Sequence, residues 1–126
     1  MIAYVTVGVD DTEQAERFYS AFLPALGYEL DYYHGDLSYV LPVKPGQRPI
    51  QPDFYVKKPF NGAPASGGNG TMVAFEATSQ QQVRDLHAAA VAAGGTDDGP
   101  PGFRGRVGAA RRARVTAATD RAEADR

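Results

Sequence analysis

Two histidines and no cysteine leave these 126 residues a narrow chemical repertoire. Without cysteine there is no thiol nucleophile, no thiolate metal site and no disulfide. His34 lies in the turn-forming run His34-Gly35-Asp36 and reads as an exposed turn residue. His87 lies beside the apolar stripe of a helix and reads as packed and structural. No Ser–His–acid order is distinctive, so no residue reads as catalytic. Gly67-Gly68-Asn69-Gly70 is glycine-rich but precedes a strand. A phosphate-binding loop needs a helix N-terminus after it, so this run reads as a linker. Asp97 and Asp98 adjoin a Gly-Pro-Pro turn and read as solvated loop carboxylates. The remaining set comprises Tyr4, Thr6, Asp53, Tyr55, Met72 and Ala74. Aromatic rings, a thioether and a few polar groups suit a small organic ligand. The competing reading is that these side chains fill a concavity or bury it against a partner subunit.

Alternating strands must position that set. In Tyr4 to Val9 the residues Val5, Val7 and Val9 go to a helix layer, so Tyr4 and Thr6 face the opposite side. In Met72 to Ala77, Val73 and Phe75 go to the core and Met72, Ala74 and Glu76 to the concave side. Asp53 and Tyr55 share one face of a strand running from Gln51 to Lys57.

These strands belong to a repeat. At an offset of 68, Tyr4 to Val9 falls on Met72 to Ala77 without a gap. The helix N-cap residues Asp11 and Ser79 then coincide, as do Gln14 and Gln82 at the capping-box position. Ala15, Phe18 and Phe22 fall on Val83, Leu86 and Ala90, one apolar helix face. Gly27 falls on Gly95, where a left-handed residue ends a helix. Three more strands follow the first helix: Tyr28 to Tyr33, Leu37 to Val43 and Gln51 to Lys57. The first unit is therefore βαβββ. A loop from Gly62 to Gly70 links it to a second unit that loses the pattern after Pro100-Pro101.

Composition sets the outer bounds. The chain is one ordinary domain in size, with a net charge of −2 and no field that would recruit nucleic acid. No apolar run approaches the roughly 20 residues of a membrane span, and no signal peptide is apparent, so a cytoplasmic protein is expected. Residues 1–103 carry 6 Lys/Arg and 12 Asp/Glu, whereas residues 104–126 carry 7 Arg and 3 acids. All 13 aromatic residues precede the break. The Arg/Ala-rich tail lacks aromatic interleaving and a continuous apolar stripe, and is expected to be helical or disordered. So abrupt a break is what a change of reading frame in a G+C-rich gene would produce.

The stretches IAYVTVGVDDTEQAERFYSAFLPALGYE, PDFYVKKPFNG and GNGTMVAFEA resemble the vicinal-oxygen-chelate superfamily. That group includes glyoxalase I, extradiol dioxygenases and bleomycin-resistance proteins. Asp10, Phe18-Tyr19, Leu26 and Gly27 match the opening of its small members. The resemblance implies an α+β fold of two βαβββ-type modules, residues 1–61 and 70–103, with the second incomplete. It implies a curved mixed sheet with helices on its outer face. It also implies a divalent metal held by His, Gln or Glu from four strands. Yet Tyr4 and Met72 stand where the first strand of each module usually carries His, and no Asp-Gly-Asn-x-(Ile/Leu)-Glu stretch follows Phe103. A metal centre needs at least three converging N or O donors, so none is expected.

Three functions are consistent with these residues. The first is a metal-free protein that binds a small organic molecule. The second is a metal-dependent lyase or dioxygenase with relocated ligands. The third is a non-catalytic homodimer. A homodimer is expected in any case, with the first and fifth strands near the interface, because missing strands leave an open sheet edge.

Overall fold

The computed structural model describes residues 1–97, 99–101 and 112–113. The chain divides into two compact units, residues 1–66 and 67–126. The division falls between Ser66 and Gly67, within the stretch expected to be a linker. Among the described residues no helix is long and apolar enough to cross a membrane.

The first unit is a complete βαβββ module. It runs β1 (Tyr4–Gly8), α1 (Thr12–Tyr19), β2 (Glu29–Tyr33), β3 (Asp36–Val40) and β4 (Asp53–Lys57). The sheet order is β1-β4-β3-β2, with β1 and β4 parallel and the other two pairings antiparallel. The Asp11 carboxylate accepts the Gln14 N–H at 3.0 Å, which fixes the start of α1. α1 ends at Tyr19 and does not run on through Phe22, as the apolar spacing suggested. Pro24 is the cause: it has no N–H to donate to the Ser20 carbonyl, and its ring crowds that position. A short 3₁₀ turn over Leu23–Leu26 follows, capped by Gly27 at φ 91°. His34 (φ 50°) and Gly35 (φ 84°) form a two-residue hairpin between β2 and β3, the doubly left-handed turn that matches strand twist.

The core lies between α1 and one face of this sheet. Tyr19, Phe22, Leu23, Leu37, Tyr39, Phe54 and Val56 are all buried there. Tyr19 meets Phe54 edge-on at 5.1 Å between ring centres. The Tyr39 hydroxyl and the Ser20 hydroxyl share a 2.9 Å hydrogen bond. The Tyr19 hydroxyl is buried without a hydrogen-bond partner among the described residues. Burial holds its pKa well above the ordinary phenol value.

The second unit contains β5 (Phe75–Glu76), α2 (Gln80–Ala92) and β6 (Arg112–Ala113). β5 pairs antiparallel with β6, Phe75 opposite Ala113 and Glu76 opposite Arg112. β5 is thus shorter than the expected strand from Met72 to Ala77, because a ladder is only as long as its partner. The alternation survives in burial, with Phe75 and Ala77 inside and Met72, Ala74 and Glu76 exposed. Ser79 caps α2 by accepting the Gln82 N–H at 3.0 Å, and the Gln82 side chain accepts the Thr78 N–H at 2.7 Å. Gly94 (φ 103°), not Gly95, is the left-handed residue at the helix end. Gly95 donates to the Ala90 carbonyl at 2.9 Å and Gly94 to the Val91 carbonyl at 3.1 Å, which satisfies the last carbonyls of the helix. His87 approaches Asp97 at 3.2 Å and is half-buried. At Arg112–Ala113 the tail is extended rather than helical. The remaining tail residues, and with them the expectation of helix or disorder, lie outside the described residues.

Candidate functional site

Alternation gives the first sheet two different faces. Leu37, Tyr39, Phe54 and Val56 point to α1, so their neighbours Asp36, Ser38, Tyr55 and Lys57 point away. Register then aligns two rows across the outward face. Asp31 lies opposite Ser38, Ser38 opposite Tyr55, and Tyr55 opposite Thr6. Tyr33 lies opposite Asp36, and Lys57 opposite Gly8. An ion pair of 3.3 Å joins Lys57 to Asp36 along the second row.

This face bounds a concavity of ≈ 900 Å³, open to solvent. That size suits a drug-sized ligand. Tyr4 stacks on Tyr55 with ring centres 4.9 Å apart and planes 28° from parallel. The Tyr55 hydroxyl donates to the Asp53 carboxylate at 3.0 Å. That hydrogen bond, reinforced by burial and by the Asp53 charge, raises the Tyr55 pKa and keeps the phenol neutral. One aromatic wall is thereby anchored through its own hydroxyl.

The opposite wall is a loop, residues 58–66. Gly8 lets it approach, since a Cβ there would stand 3.3 Å from the Pro59 ring. The Pro59 carbonyl accepts the Gly62 N–H at 3.1 Å, and the Asn61 side chain accepts the Ala63 N–H at 3.0 Å. The Asp10 carboxylate accepts the Ala65 N–H at 2.7 Å, which ties the loop to the end of β1. Phe60 lines the concavity from this loop with its side chain fully exposed.

Of the six residues expected to bind a ligand, Tyr4, Thr6 and Tyr55 line this concavity. Asp53 acts behind it, as the acceptor that holds Tyr55. Met72 and Ala74 belong to the second unit, where both are exposed just before β5. Asp31, Tyr33, Asp36, Ser38 and Lys57 were not anticipated, although the same alternation applied to β2 and β3 identifies them. Ala63 to Ser66, within the stretch from Gly62 to Gly70 expected to be linker, form part of the cavity wall. Its composition resembles a spacer; only its hydrogen bonds to Asp10 and within its own turns make it a wall.

The donor set does not fit a divalent metal. Among the described residues no three His, Cys, Asp or Glu side chains converge. Tyr4 is stacked on Tyr55, and the carboxylate of Asp53 is engaged by the Tyr55 hydroxyl. Hard and borderline metals need three or more N or O donors on one centre.

No protein-family profile matches the chain, and no curated protein matches it. Among solved structures, a glyoxalase/bleomycin resistance protein from Albidiferax ferrireducens T118 is similar. It is 37% identical in sequence, covers 82% of this chain and 82% of its own, and superposes with a TM-score of 0.69. Identity of that level over most of both chains, on a βαβββ module with an incomplete second one, means that this chain belongs to the glyoxalase/bleomycin resistance proteins of the vicinal-oxygen-chelate superfamily.

Proposed function

We propose that this protein binds a small organic molecule in the concavity of its first unit, without a catalytic metal. The observation that carries the reading is the anchored aromatic wall, Tyr4 stacked on a Tyr55 that Asp53 holds in place. A Tyr that is 58% exposed on the edge strand beside that concavity offers ring surface to a ligand. The lyase or dioxygenase alternative needs a metal centre, and the described residues supply no donor set for one. The reading includes a cytoplasmic setting and a homodimer. Among the described residues β1 and β2, at the two ends of the sheet, each have one unpaired edge, which supports association.

A thermal-shift screen of small organic molecules tests the binding. A ligand at 100 times its dissociation constant stabilises the protein by about 2.7 kcal/mol. Tyr4→Ala is expected to abolish the shift while leaving the melting temperature of the free protein nearly unchanged, because Tyr4 is largely exposed. A screen without a single Tyr4-dependent hit refutes the reading. Stoichiometric zinc, manganese or iron in the purified protein, with a melting temperature that falls in EDTA, restores the enzyme alternative. Sedimentation as a monomer at about 100 µM, well above usual dimer constants, removes the homodimer.

A further inference from the structure

The concavity carries charge on β2 and just past the end of β4, away from one another. Among the described residues four charged ones line it: Asp31, Asp36, Lys57 and Lys58. Asp36 and Lys57 are paired with each other at 3.3 Å. Asp31 and Lys58 have no ion-pair partner among the described residues. The Asp31 carboxylate accepts the N–H of its neighbour Tyr32 at 2.9 Å, which uses one oxygen and leaves the other open. Asp31 lies on β2, the edge strand, whereas Lys58 immediately follows β4. Two strand spacings, roughly 10 Å, separate β2 from β4. Ser38 on β3 lies between these strands, Tyr55 lies on β4 itself, and Tyr4 on β1 stacks on the far side of Tyr55.

Phe60 adds a second aromatic element. Its ring lines the concavity and is fully exposed. An apolar ring of that size in water is costly to keep exposed, and a planar guest on the Tyr4–Tyr55 stack would cover it. Its loop is short and tied at Asp10, so the ring stays near the cavity mouth.

Resting on the binding function proposed above, we infer that the preferred ligand is an elongated aromatic zwitterion. Its ring system lies on Tyr55, beside Tyr4 and under Phe60, its cationic end reaches Asp31 across β3, and its anionic end reaches Lys58 past the end of β4. A ligand with only one charge leaves the other site to water. A ligand with both charges adjacent on one carbon does not span the strands.

Three naphthalene probes with the same ring separate the contributions: 6-(aminomethyl)-2-naphthoate, 2-naphthoate and 2-naphthylmethylammonium. Affinities come from isothermal titration on the full chain. The doubly charged probe is expected to bind about fivefold more tightly than either singly charged one, the gain that one exposed ion pair provides. Asp31→Asn keeps the oxygen that accepts from Tyr32 and removes the charge. It should erase the advantage over 2-naphthoate without changing 2-naphthoate binding. Lys58→Gln should erase the advantage over the ammonium probe without changing that probe. Phe60→Ala should weaken all three alike. Equal affinity for the three probes overturns the inference, as do charge variants that alter all three equally. If no naphthalene binds but the thermal-shift screen yields a Tyr4-dependent ligand, the inference falls and the binding function stands. If the screen also fails, both fall.

Discussion

The two units start from nearly the same local instructions and end with different sheets. Asp11 and Ser79 cap their helices through the same contact, a side-chain oxygen accepting the backbone N–H three residues on. Both units end their helical segment at a left-handed glycine, Gly27 or Gly94. Yet the first builds four paired strands of five residues, and the second, among the described residues, one pair of two-residue strands. Capping and helix-end signals are satisfied within a few residues of chain. A strand is satisfied only by a partner, and among the described residues β5 has one two residues long. The cavity follows the same divide: it lies entirely on residues of the first unit, where strand alternation extends over four neighbours.

The largest test of this contrast is core truncation. Phe22 is fully buried in the first unit, and Phe22→Ala is expected to cost about 4 kcal/mol in urea unfolding. Leu86 anchors the second helix, and Leu86→Ala should cost about 2 kcal/mol, the lower end for such a change. Amide exchange should run in parallel, slow in β3 and β4 and fast at β5. Equal costs, or strong protection of β5, would contradict the picture of one robust and one minimal sheet.

A smaller effect tests the helix ends. Gly94→Ala and Gly27→Ala place a Cβ on a left-handed backbone and should each cost about 1–2 kcal/mol. Gly95→Ala should change stability by about 0.5 kcal/mol or less, because Gly95 is not left-handed. A large penalty at Gly95 and none at Gly94 would return the helix end to the position implied by the offset of 68.

The caps come next. Asp11→Ala and Ser79→Ala should each cost about 1 kcal/mol in chemical denaturation. Gln82→Ala should add a further loss, since its side chain holds Thr78, whereas Gln14 contributes its backbone N–H. A Gln14→Ala cost equal to that of Gln82→Ala would show that the two caps are alike.

The smallest change concerns the unpaired hydroxyl in the first core. Tyr19→Phe removes a buried donor without a partner and should be neutral or stabilising by up to about 1 kcal/mol. Tyr39→Phe removes the bond to Ser20 and should destabilise by about 1 kcal/mol. pH sharpens the pair. The folded pKa of Tyr19 is raised, so the unfolded chain loses that proton first as pH climbs past 10.0, the ordinary phenol value. Stability is intact below that pH and falls above it. Tyr19→Phe should flatten the alkaline slope; an unchanged slope would mean that Tyr19 is not buried as described.

Much of this was readable in advance. Val5 and Val7 alternating with Tyr4 and Thr6 marked the two faces of β1, and Asp53 and Tyr55 on one face did the same for β4. Asp53 was placed correctly on the face of Tyr55, but as a ligand contact rather than as the acceptor that fixes the ring. The loop after β4 was the main omission. Gly, Ala, Pro and Ser signal a spacer, and nothing in their types announces that Asp10, 55 residues earlier in the chain, accepts the Ala65 N–H.

What these residues decided by themselves is local: strand alternation, the N-caps, the left-handed turn at His34-Gly35 and the lack of metal donors at positions 4 and 72. Each depends on a few neighbouring dihedrals and on side-chain type, so a short window contains the whole cause. Tertiary structure alone decided the register that aligns Asp31, Ser38, Tyr55 and Thr6, the stack of Tyr4 on Tyr55, the wall made by the loop, and the length of β5. Those depend on which distant segments meet, because strand pairing and cavity walls are satisfied by groups far away along the chain.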